Sequence, residues 1–167
     1  ARDHSITLHA GNAAGTGALS NRADGLTLND APANVIGGTD AGAGNLLSGN
    51  GQSGIYLNGA GARSNLIAGN LIGLNATGAA ALGNAFAGVT LSGATDNRLG
   101  LAEPAARNVI SGNRLEGIFL AANSTSNRIQ GNYIGTAANG TSALGNGASG
   151  VALNNAAGNL IGGGEPG

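Results

Sequence analysis

The chain contains no cysteine, methionine or tryptophan. Neither a disulfide framework nor a thiolate metal site can therefore be built, and cysteine usage leaves the redox compartment open. Lysine is missing too, and the seven basic residues, all arginine, are scattered along 167 positions. Phosphate backbones are met by clustered basic side chains, so no nucleic-acid partner is expected. Charged residues make up 9% of the chain and the formal net charge is -1, but 41% hydrophobic content is not the profile of a disordered polymer. No apolar run approaches the roughly 20 residues of a membrane-spanning helix. No direct membrane insertion is expected, and no secretory leader pattern is visible.

Glycine and asparagine fill the gap. There are 33 Gly and 22 Asn, far more turn formers than a conventional globule accommodates. A solenoid with several tight corners per turn uses them all, because both residues tolerate left-handed backbone. The tripeptide Asn-x-Ile/Leu recurs at Asn34, Asn65, Asn97, Asn127 and Asn159, at intervals of 31, 32, 30 and 32 residues. Self-similarity at such a period marks an array in which each unit buries its apolar face only against its neighbours.

Every unit holds three short stretches of period 2, the strand signature. The first follows the five Asn residues just named. The second follows Asn45, Asn70, Asn108 and Asn132, and the third is Gly-Ile/Val-x-Leu, beginning at Gly25, Gly54, Gly88, Gly117 and Gly150. Alternation sends residues i and i+2 inward, which predicts four stacked interior columns. They are Ile36/Ile67/Leu99/Ile129/Ile161, Leu47/Ile72/Ile110/Ile134, Leu26/Ile55/Val89/Ile118/Val151 and Leu28/Leu57/Leu91/Leu120/Leu153. The Asn residues ahead of the first two strands are expected to form amide ladders from rung to rung. No sustained i, i+3, i+4, i+7 series supports a helix.

These patterns specify an all-β fold, a right-handed three-sheet parallel β-helix of about five rungs of 30–32 residues. The rungs alternate. Asn34 to Asn45 and Asn97 to Asn108 are both 11 apart, whereas the other units carry insertions at 75–84 and 137–146, with a third copy at 12–21. The duplicated block is thus a rung pair, 97 − 34 = 63 and 159 − 97 = 62 residues long. Residues 1–33 are expected to form a partial first rung, 34–158 four full rungs and 159–167 the start of the next. The whole of 1–167 reads as a single β-helix segment excised from a longer repeat protein.

Asn34-Val-Ile-Gly-Gly-Thr39, Asn45-Leu-Leu-Ser-Gly-Asn50, Asn108-Val-Ile-Ser-Gly-Asn113 and Gly117-Ile-Phe-Leu120 resemble the right-handed parallel β-helix repeat proteins, in particular long bacterial secreted or cell-surface proteins built from such tandem blocks. The resemblance covers roughly residues 5 to 167 and implies an extracellular or bacterial cell-surface location; it carries over no catalytic motif. The expected role is structural, as a stalk, fibre or adhesin segment that meets further copies of itself, other surface proteins or glycans. A carbohydrate-binding or carbohydrate-active β-helix, lyase- or epimerase-like, is the alternative, because the same scaffold carries such enzymes.

Candidate sites are few. Asp40, Glu103 and Glu165 each lie six residues past a rung-opening Asn and are the only candidate metal ligands. Calcium needs six to eight oxygens, so a solvated turn carboxylate is the plainer reading, and no cofactor is expected. Arg98 and Arg128 face outward on neighbouring rungs; His4 and His9 are the only histidines, and no catalytic residue is assigned. Leu46, Leu71, Val109 and Tyr133 form an outward apolar column on the second sheet. Either Leu19, Leu82 and Leu144 fold back to cover it, or it is an interface to which Tyr56 and Phe119 of the third sheet add aromatic anchors.

Overall fold

The computed structural model describes residue 14, residues 16–40 and residues 42–163. Fourteen short strands wind into three parallel sheets. The Asn-x-Ile segments are β2 (Val35–Gly37), β5 (Leu66–Ala68), β8 (Arg98–Leu99), β11 (Arg128–Ile129) and β14 (Leu160–Ile161). The second sheet stacks β3 (Leu46–Leu47), β6 (Leu71–Ile72), β9 (Val109–Ile110) and β12 (Tyr133–Ile134). The third stacks β1 (Leu26–Asn29), β4 (Ile55–Asn58), β7 (Val89–Ser92), β10 (Ile118–Ala121) and β13 (Val151–Leu153). Between β1 and β13 the chain completes four turns.

Register is as the repeat requires. Ile36 lies on Ile67, Ile67 on Leu99, Leu99 on Ile129 and Ile129 on Ile161. Leu47, Ile72, Ile110 and Ile134 follow one another in the second sheet, and both predicted columns of the third sheet pair residue for residue. Interior members such as Leu47, Ile67, Ile72, Leu99 and Ile110 are fully buried, each contributing roughly 1.5–3 kcal/mol of apolar transfer energy. At the last described rung the columns open, with Leu153 45% and Ile161 46% exposed.

The ladders are directional. The Oδ1 of Asn97 accepts from the backbone N–H of Asn65 (3.0 Å) and from its Nδ2 (3.0 Å). The Nδ2 of Asn97 in turn donates to the carbonyl of Ala62 in the rung before and to Oδ1 of Asn127 in the rung after. Asn34, Asn127 and Asn159 continue this chain, and Asn45, Asn70, Asn108 and Asn132 build a second one in the same way. A third ladder, not foreseen, runs through Asn21, Asn50, Asn84, Asn113 and Asn146. All three corners of the solenoid are therefore sealed by amides whose inner members, such as Asn65, Asn97 and Asn127, use both amide protons and accept twice at Oδ1, and aligned dipoles of this kind reinforce one another.

The corner before the first ladder needs left-handed backbone at one fixed position. Ala33 (φ 58), Ser64 (φ 58), Asp96 (φ 55), Ser126 (φ 59) and Gly158 (φ 69) occupy it, each directly preceding a ladder Asn. Only one of the five is glycine. A left-handed L-residue costs roughly 1–2 kcal/mol, partly offset by the roughly 0.5–1 kcal/mol that glycine loses through its freer unfolded chain. Ser126→Gly is accordingly expected to raise stability by about 0.5–1 kcal/mol. A thermal melt of the single variant checks it; an unchanged or lower midpoint contradicts the strain.

Candidate functional site

The inserted segments are antiparallel hairpins. Leu74 bridges Ala81 and Thr136 bridges Ala143. Ala138 N–H donates to the carbonyl of Gly78 at 2.9 Å, joining two hairpins whose rungs are about 9.6 Å apart at the parallel-strand spacing. Together they roof the second-sheet column: Val109, stacked between Leu71 and Tyr133, is buried, as is Leu46.

The roof is not made as the sequence suggested. Gly78 is pressed against Ala138 of the neighbouring hairpin, with Leu71 at van der Waals distance, and Gly140 lies so close to the Tyr133 ring that a Cβ there would clash with it. Leu19 is 68% exposed, while Leu82 and Leu144 are half-buried at the hairpin bases, where their N–H groups close on Gly73 and Gly135. A leucine following the bridge sits at the hairpin base, and at Gly140 the absence of a side chain is what lets the tip meet the Tyr133 ring. The guanidinium of Arg107 completes the cover, its Cζ 4.0 Å from the Tyr133 ring centre and its Nε donating to Gly131 O at 2.9 Å. Arg107→Ala is expected to lower stability by about 1–2 kcal/mol, the sum of a cation–π contact and a hydrogen bond, measurable as a shift in urea midpoint. No shift would mean that Tyr133 does not depend on this cover.

Asp40 and Glu103 are exposed. Their backbone carbonyls close equivalent turns onto Ala43 and Ala106, and Glu103 precedes the 3-10 turn Pro104–Ala106 without a side-chain cap bond. Glu165, like His4 and His9, lies outside the described residues. Among the described residues no three His, Cys, Asp or Glu side chains gather to hold a metal ion. Arg98 and Arg128 are register neighbours on the exposed face of the first sheet.

The third sheet holds what the sequence reading only touched. Its outward column is Thr27, Tyr56, Thr90, Phe119 and Ala152. Two rungs separate Tyr56 from Phe119, and Thr90 leaves a gap between them. Phe86, on the preceding corner, packs edge-on against Phe119 at 6.2 Å and 74°. The gap is a notch of about 220 Å³ lined by Asp24, Gln52, Ser53, Tyr56, Phe86 and Thr90. In it the hydroxyls of Ser53 and Thr90 lie 2.8 Å apart, and Asp24 accepts from Ser53 N–H at 2.8 Å through Oδ1 and from the Thr27 hydroxyl at 3.4 Å through Oδ2. Of the two aromatic residues expected as interface anchors, Tyr56 lines the notch and Phe119 stands beside Phe86. The lining comes from three successive rungs, Asp24 from one, Gln52, Ser53 and Tyr56 from the next, and Phe86 and Thr90 from the third, so no local pattern groups them.

Comparison with protein families, curated proteins and solved structures finds no match for the chain.

Proposed function

We propose that this chain is a rigid structural segment of a bacterial extracellular or cell-surface β-helix protein, a stalk or fibre piece that holds its neighbours at a fixed distance and performs no reaction. The observation that supports this reading is the set of three directional Asn ladders, each linking every rung of the described solenoid to the next. Such corners resist local opening, because separating two rungs breaks amide bonds at all three corners together with the strand ladders. Stiffness along the axis is what a spacer needs. Few charges and flat, closely stacked corners leave little for a protease to enter.

Two measurements test it. Inserting a second copy of residues 34–96 in register is expected to lengthen the particle by two rungs, about 9.6 Å at the parallel-strand spacing, with no loss of thermal stability; X-ray scattering reads the length. Antibodies against the chain are expected to label intact cells of the source organism. Labelling confined to permeabilised cells would refute the surface location, and a duplicated chain that collapses or fails to lengthen would refute the spacer. A glycan-binding role is the second reading, favoured by the notch between Tyr56 and Phe86.

A further inference from the structure

We propose that the notch on the third sheet is a subsite for one neutral sugar ring of a glycan that lies along the solenoid axis. This rests on the second, glycan-binding reading, to which it gives a sugar class and a set of contacts, and it is independent of the spacer reading. Ser53 is 3% and Thr90 7% exposed, and their oxygens are 2.8 Å apart. Two hydroxyls carry two protons, and their mutual bond uses one. The other proton has no further acceptor among the described residues, so the pair presents one donor and spare lone pairs to whatever enters.

The remaining lining fits the same guest. Tyr56 and Phe86 offer aromatic surface for the C–H faces of a pyranose. Gln52 can donate and accept, and Asp24 keeps lone pairs beyond those engaged by Ser53 and Thr27. Sugar hydroxyls are themselves both donors and acceptors, matching such a mixed set. The volume, about 220 Å³, falls below the roughly 300–1,000 Å³ of a pocket for a whole drug-sized ligand; it suits one ring. Charge selects the class, because the Asp24 carboxylate disfavours a uronate through like-charge repulsion. Phe119, edge-on to Phe86, extends the aromatic surface along the axis toward the next sugar.

The chain supplies its own reporter. It has two tyrosines and no tryptophan, so Tyr133→Phe leaves Tyr56 as the sole strong emitter. In that background, titration with a panel of neutral oligosaccharides, including cello- and manno-oligosaccharides, is expected to give a saturable change in Tyr56 emission with at least one of them. Oligogalacturonate is expected to give none. Thr90→Val, which keeps the shape and removes the hydroxyl, and Gln52→Ala are each expected to weaken binding about tenfold or more, as lost hydrogen bonds in a built polar site do. Amide NMR shifts at Ser53 and Thr90 should move with the same saturation curve; an unchanged melting midpoint in Gln52→Ala, and a native amide spectrum of Thr90→Val at the titration temperature, separate lost binding from lost fold. No saturable response to any neutral glycan, undiminished affinity in Thr90→Val and Gln52→Ala, or preference for oligogalacturonate overturns the proposal.

Discussion

Asn97→Ala is expected to destabilise the protein by about 4–5 kcal/mol, at the extreme end of single substitutions. Asn97 is fully buried, and truncation deletes four hydrogen bonds at once, two accepted from Asn65 and one each donated to Ala62 O and Asn127 Oδ1. The N–H of Asn65 then faces a hole, as does one of its amide protons. A buried donor or acceptor left unpaired costs roughly 1–3 kcal/mol, and four groups lose a partner here, Asn127 Oδ1 only in part because it keeps the backbone N–H of residue 97. Asn34→Ala, at the exposed start of the same ladder, leaves its own backbone N–H still bonded to Asn65 Oδ1. Water reaches the groups it frees, so the expected loss is about 0.5–1 kcal/mol. Urea unfolding followed by circular dichroism compares the two; equal losses would show that the ladder is decoration and that strand pairing alone carries the fold.

The first two ladders were readable because each Asn directly precedes a strand and returns with the period. The third was not, although Asn21, Asn50, Asn84, Asn113 and Asn146 all stand four residues before the Gly of Gly-Ile/Val-x-Leu. The hairpin insertions end immediately ahead of Asn84 and Asn146, so those amides look like loop residues until the hairpins are folded away. The left-handed corner shows the opposite limit. Ala33, Ser64, Asp96 and Ser126 give no compositional hint of positive φ; the conformation is imposed by ladders on one side and a strand on the other. The interior columns needed nothing beyond alternation, since a one-residue slip would turn every Ile and Leu of a strand to solvent. The notch needed the winding itself, which sets Tyr56 beside Thr90 and brings Phe86 against Phe119.

Gly44→Ala is expected to cost about 3 kcal/mol or more, the upper range for overpacking. Gly44 precedes Asn45 at the second corner, and a Cβ built there falls onto the carbonyl oxygen of Gly69 in the adjacent rung. Retreat is blocked. Asn45 N–H is held to Asn70 Oδ1 at 3.0 Å and Leu71 N–H to Asn45 O at 2.9 Å, so relieving the clash means separating rungs and breaking the ladder beside it. Gly83, before Asn84 at the third corner, meets the carbonyl oxygen of Gly112 in the same way, and Gly83→Ala is expected to be comparably damaging. Gly145 also precedes a ladder Asn but lies on the last described rung, where among the described residues nothing comes within 4 Å of a Cβ, and it has no positive φ. Gly145→Ala is therefore expected to be neutral or to stabilise by about 0.4–1 kcal/mol through the unfolded chain. Urea midpoints for the three variants decide the matter: similar behaviour at Gly44, Gly83 and Gly145 would mean that these glycines serve the turn alone, whereas the expected split shows that the close approach of neighbouring rungs excludes a side chain there.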